Sequence, residues 1–239
     1  MLKHLKEIVM NKNRINIEDI IKKSLIDQKA LQKEYHLFGK LVYVQEPFVG
    51  DIDVQNVIEE IEKTIPSYLF EEIDTIIVGT FDFLDERDLE AIYKDGAIYI
   101  SSRIINDRDL LENILHETAH SLENSMGYFI YGDSELHSEF LGKRMRLKSI
   151  LNAEGIETQY DFSDTEYDPD FDRFLYEEIG YPTLGALTNG LFHTPYAITS
   201  LREYWASGFE DYFLGNREIL KRISPRLFNK IEGVINHEH

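Results

Sequence analysis

His116 and His120 stand four residues apart in the stretch "NILHETAHSLEN", with Glu117 directly after the first histidine. On a helix, residues four apart lie one turn above each other on the same face. Both imidazoles can then reach one metal ion at about 2.0–2.1 Å. Glu117 falls about 100° around from His116, beside such an ion rather than on it. There a carboxylate can act as general base toward a metal-activated water. The competing reading is an amphipathic helix that carries two solvated or hydrogen-bonded histidines. Leu111, Ile114, Leu115, Ala119 and Leu122 supply its apolar face in either case.

A hydrolytic zinc site needs a third protein ligand and leaves its fourth position to water. The metzincin pattern would place Gly at 123 and His at 126, and this chain has Glu123 and Met126 there. That class is excluded, and a glutamate from a second helix remains. Glu139, in "HSEFLGKR", follows His120 at a spacing used by a large group of glutamate-ligand zinc enzymes. It also reads as a solvated helix charge or as an outer partner of a ligating histidine. Glu203, in "SLREYWASGF", is the other candidate. Ser200 and Glu203 equally fit a capping box, in which the glutamate only reaches back to the N-cap amide.

The elements that must position these groups read as α+β. Helices are expected over residues 2–36, from the apolar spacing of "LKHLKEIV" and "IEDIIKKSLIDQKALQKEY". "KLVYVQ" and "DTIIVGTF" read as strands, separated by a helix, "DVQNVIEEIEKTI", that stops before Pro66. "LEAIYKDGAIYISS" reads as a hairpin around Asp95-Gly96. The histidine helix then spans about 107–125 and ends near Gly127, and a further helix ends at Gly155. Residues 156–195 are expected to be irregular, and residues 200–214 helical. A last helix has Ser224 as N-cap and Pro225 at its first position. One domain is expected over 1–239, in four parts: 1–36 as N-terminal helices, 40–130 as sheet and active-site helix, 131–194 as an inserted helix and acidic loop, and 195–239 as a helical segment with the third ligand.

The 239 residues carry a formal net charge of −19, with 29% charged and 43% hydrophobic residues. So acidic a surface repels phosphate backbones and anionic lipid, which disfavours nucleic acid and membrane as partners. The chain has no cysteine, so any zinc must sit on His, Asp or Glu. The first residues show no signal-peptide pattern, and no run approaches a membrane span, which points to a cytoplasmic protein. The abundance of Lys, Ile and Asn suggests an AT-rich bacterial or phage genome.

Together, "HETAH" and "YAITSLREYWASGF" resemble the zinc peptidases that include the catalytic domain of anthrax lethal factor and the Pro-Pro endopeptidases. Their second motif has a tyrosine, then seven positions later a glutamate followed by two bulky residues and Ala. Here Tyr196 precedes Glu203 by seven, with Tyr204, Trp205, Ala206 and Phe209 in matching places. The resemblance implies a zincin-like fold: a small twisted mixed sheet whose edge strand, "GAIYISS", runs beside the active-site helix, with a mostly helical C-terminal part. It implies Zn2+ held by His116, His120 and Glu203, Glu117 as general base, and hydrolysis of a protein or peptide substrate. Tyr196 would hydrogen-bond the oxyanion or protonate the leaving amine. The chain departs from the pattern in two places. The stretch between His120 and Tyr196 is longer, and Ser207 stands where relatives often have an acidic residue. A non-catalytic zinc or interaction domain is the alternative.

Further residues have two readings. His193 could touch substrate or lie solvated in its loop. Asp164, Asp168, Asp170 and Asp172 could bind calcium, but they lack the EF-hand spacing and final glutamate, and a solvated loop pinned by Phe171, Phe174, Leu175 and Tyr176 fits better. Trp205, Phe209, Tyr212 and Phe213 recur at helical spacing and read as core.

Overall fold

The computed structural model describes residues 32–237. The helices expected before residue 32 lie outside the described residues, but the expectation of helix through residue 36 is corrected. Lys33–Leu37 is a strand, β1, paired antiparallel with β2, Lys40–Val44. Phe38 and Gly39 turn between them at φ 50° and 79°. The left-handed conformation is strained for Phe38, and the packing of its ring on Phe70 at 5.2 Å and the bond from its amide to Glu62 offset that strain. Pairing in the sheet outweighs the local helical spacing that runs up to this hairpin.

Among the described residues the sheet has five strands in the order β1-β2-β3-β5-β4, with β3 at Thr75–Gly79, β4 at Ala91–Lys94 and β5 at Ala97–Ser101. The pairs β2/β3 and β3/β5 are parallel, and β4/β5 is an antiparallel hairpin. Asp95 and Gly96 turn it at φ 51° and 82°, both positive, as the two-residue hairpin turn requires. The strand expected at the edge, "GAIYISS", is therefore interior. Two parallel neighbours cannot be joined by a tight turn, so β5 inserts beside β3 and β4 folds outward to become the edge.

One face of the sheet is buried. Val42, Val44, Ile76, Val78, Ile98 and Ile100 meet Val57, Ile58 and Ile61 of α1 (Val54–Thr64), and Leu110, Leu111, Ile114 and Leu115 of α3 (Asp107–Tyr131), in one continuous core. The short α2, Asp82–Asp85, lies between β3 and β4. Asn106 starts α3 by accepting from the amide of Asp109. The helix passes through Gly127 rather than ending there. A bundle follows: α4 (Glu135–Ala153), α7 (Leu201–Leu214), α8 (Arg217–Ile223) and α9 (Pro225–Ile235). Helix α8, which is absent from the sequence reading, is capped by Asn216.

Residues 156–195 are more ordered than expected. They contain α5 (Pro169–Arg173), a π-turn (Phe174–Ile179) and α6 (Tyr181–Leu187). Phe171, Phe174 and Leu175 are buried as anticipated, whereas Tyr176 is exposed. The buried Arg144 guanidinium lies 4.3 Å from the Phe171 ring and donates to the carbonyls of Asp161 and Asp164, fastening this segment to α4. No helix among the described residues is long and apolar enough to cross a membrane.

Candidate metal centre

Helix α3 turns His116 and His120 to one side, and α7 packs against that side. Trp205 of α7 is fully buried and donates its indole N–H to the Ala119 carbonyl at 3.0 Å. That bond sets α7 at the level of the histidines. Glu203, on the first turn of α7, then meets both imidazoles. Its Oε2 lies 2.9 Å from His116 Nε2 and 3.6 Å from His120 Nε2.

Ser200 does cap α7, accepting from the Glu203 amide at 3.1 Å. The second half of the capping box is missing, because the Glu203 carboxylate faces the histidines instead. The amide of Leu201 donates to the carbonyl of Thr165, so the acidic loop helps to hold this helix start.

Burial alone would lower the His116 pKa, but contacts with Glu203 and Glu210 overcome it and raise it to about 10. His120 responds likewise: burial lowers it, and Glu123 and Glu203 carry it up to about 9. Burial would raise Glu203, yet the two imidazoles hold it well below the usual carboxylate range. Each shift favours the charged form of its group, and a divalent cation bound by these nitrogens would compete with protons for them.

The donor set suits a metal ion. His116, His120 and Glu203 each offer one atom, all within 4.8 Å of one another, and they are the group among the described residues able to hold a metal. Tetrahedral zinc with ligands at about 2.0–2.2 Å needs donor atoms about 3.3–3.5 Å apart. The 2.9 and 3.6 Å separations bracket that spacing.

Glu117 points toward the sheet edge. It is 6% exposed, and its Oε2 accepts from the Tyr93 amide at 2.6 Å on β4. The edge strand thereby holds the carboxylate beside the histidine pair. Tyr196, in the single turn Tyr196–Ile198, has its ring 6.1 Å from that of His116. Burial, with the nearby Glu203 charge, pushes its hydroxyl well above the ordinary tyrosine value, so it stays a donor.

Other candidates are placed elsewhere. Glu139 accepts from the Tyr204 hydroxyl and from the amides of Arg226 and Leu227. Ser224 is the N-cap of α9 with Pro225 at its first position, as expected, but its hydroxyl accepts from Lys143 Nζ and Glu139 supplies the acceptor for the first-turn amides. His193 is not solvated: its ring nitrogens are buried without a hydrogen-bond partner, and burial beside Lys143 lowers it to about 3. The acidic run is occupied locally. Asp168 caps α5, Asp164 accepts from the Glu166 amide, Asp170 pairs with Arg173, and Asp172 accepts from Tyr167 and Tyr181. Trp205, Phe209 and Tyr212 are buried in the core, and Phe213 packs against it.

Sequence reasoning missed four residues around the site. Glu123 contacts His120 Nδ1 at 3.2 Å, and Glu210 lies 3.6 Å from His116 Nδ1. Their signals were helical: Glu123 follows His120 by three, and Glu210 follows Glu203 by seven, on the same face. Tyr131 and Arg202, both donors to Glu123, carried no such signal.

Comparison with protein-family models, with curated proteins and with solved structures finds no match to this chain.

Proposed function

We propose that this protein is a zinc-dependent endopeptidase of zincin-like architecture, similar to the lethal factor and Pro-Pro endopeptidase group. The observation that carries the reading is the convergence of His116, His120 and Glu203 beside a buried Glu117. His116, His120 and Glu203 would hold a zinc ion, which would supply Lewis acidity toward a water and a carbonyl. Glu117 takes the proton of the attacking water and delivers it to the leaving amine. The Tyr93 amide fixes its carboxylate for both transfers. Tyr196 donates a hydrogen bond to the oxygen of the scissile carbonyl as negative charge develops there. The edge strand β4, whose Tyr93 amide is already given to Glu117, is where an extended peptide would lie alongside the sheet.

A structural, closed metal site needs a fourth protein ligand. Glu139, the other glutamate candidate, does not supply one, because it is occupied at the start of α9, which favours the catalytic reading.

The test measures zinc content and hydroxamate-sensitive cleavage of a peptide library. Wild type should hold about one zinc and cleave. Glu117→Gln should keep the zinc and lose activity by about 10²–10⁴-fold, the usual worth of a general base. A Glu117→Gln protein as active as wild type, free of contaminating protease, would overturn the mechanism.

A further inference from the structure

Each histidine has two ring nitrogens, and at this site they face different carboxylates. His120 turns Nε2 toward Glu203 and Nδ1 toward Glu123 Oε1, 3.2 Å away. A carboxylate only accepts, so Nδ1 must carry the proton. With Nδ1 so committed, Nε2 is the nitrogen available to a metal.

Glu123 is itself held on two sides. The Tyr131 hydroxyl donates to the same Oε1 at 3.0 Å, and Arg202 Nε donates to Oε2 at 2.5 Å. Tyr131 closes α3, two turns beyond Glu123. Arg202 lies on α7 next to Glu203 in the chain. One carboxylate, 11% exposed, therefore contacts a candidate metal ligand directly and the immediate neighbour of another.

We propose that Glu123 is a positioning residue of the metal centre, fixing His120 through Nδ1 and the first turn of α7 through Arg202. The inference rests on the metal reading given above. Outer partners of this kind typically contribute 10–100-fold, as an order of magnitude, in metal affinity. Glu210, on α7, faces His116 of α3 as Glu123 faces His120, but at 3.6 Å, beyond hydrogen-bond distance. Its contribution is accordingly smaller.

The experiment measures zinc dissociation constants by chelator competition for wild type, Glu123→Ala, Glu123→Gln and Glu210→Ala. It also follows the His120 Nδ1–H resonance in the zinc-loaded proteins. Glu123→Ala should weaken zinc binding about 10–100-fold and lose the protected Nδ1–H signal. Glu123→Gln keeps an acceptor oxygen but not its charge, so it should lie between Ala and wild type, with the signal moved upfield. Glu210→Ala should lose less than Glu123→Ala. If Glu123→Ala does not fold, Glu123→Gln decides by the same two readings. Wild-type affinity together with an unmoved resonance in the folded Glu123 variants overturns the positioning role while leaving the metal site standing. Failure of wild type itself to bind zinc overturns the metal reading, and this inference with it.

Discussion

Glu203 and Glu139 are both half-buried glutamates on helices, and the sequence offered both as the third ligand. Their surroundings separate them. Glu139 meets two backbone amides and a tyrosine hydroxyl, donors that belong to the fold itself. Its neighbour one turn on, Lys143, is likewise consumed, by the carbonyls of Leu191 and Ile223 and the Ser224 hydroxyl. Glu203 meets only two imidazoles, each able to exchange its proton for a cation. The donors around Glu139 hold helices together, whereas those around Glu203 are groups that a cation can replace.

The sharpest way to break this contrast is to remove each carboxylate. Glu203→Ala should weaken zinc binding by about 10³-fold or more, since one of three protein ligands is gone. Glu139→Ala should leave zinc affinity nearly unchanged and lower stability by about 2–3 kcal/mol, from a lost helix cap and stranded donors. Chelator competition and denaturant melts read the two effects. Zinc loss in the Glu139 variant alone would reverse the assignment.

Tyr204 and Trp205 sharpen the contrast, because these adjacent residues tie α7 to opposite regions. The Trp205 indole reaches Ala119 between the histidines, and the Tyr204 hydroxyl reaches Glu139. Trp205→Phe and Tyr204→Phe should each cost about 1–2 kcal/mol of stability, one buried hydrogen bond apiece. Only Trp205→Phe should also weaken zinc, by a few-fold. Equal zinc affinities in both variants would show that α7 is held at the site by other contacts.

The contrast also bears on pH dependence. Folded His116 and His120 are raised to about 10 and about 9 from an ordinary 6.5, while Glu203 is depressed from 4.5. A raised folded pKa stabilises fully below the unfolded value and fades as pH rises through the folded one. A depressed carboxylate stabilises above its unfolded value and fades as pH falls. The metal-free protein should therefore gain most from this cluster between 4.5 and 6.5, and its melting temperature should fall gradually toward pH 9–10. The Glu139 cluster adds no histidine exchange of this kind, so Glu203→Ala should flatten the alkaline fall and Glu139→Ala should not. Zinc binding near neutral pH should release about one to two protons, measurable by calorimetry in buffers of different ionisation enthalpy.

Local pattern carried a good part of the molecule. The spacing of His116, Glu117 and His120 is a property of any helix, so their shared neighbourhood was legible before α3 was seen. The Asp95-Gly96 hairpin and the Pro66 stop follow from backbone sterics that act within a few residues. The Tyr196–Glu203 spacing also named Glu203, by resemblance to known peptidases.

Other features depended on groups far apart in the chain. Lys33–Leu37 became a strand because β2 was there to pair with it, and β5 left the edge because β4 folded outside it. The capping box at Ser200 was half right for the same reason: the local amide bond formed, and the distant histidines claimed the carboxylate. Glu123 appeared in the sequence only as a mismatch to one enzyme class; its contact with Arg202, 79 positions away, gave it a place at the site. Sequence by itself determined which side chains share a turn, because helix and hairpin geometry is set by neighbours. Which carboxylate faces the histidines and which caps a helix was decided only by tertiary packing, since a buried charge takes its role from the donors that the fold brings to it.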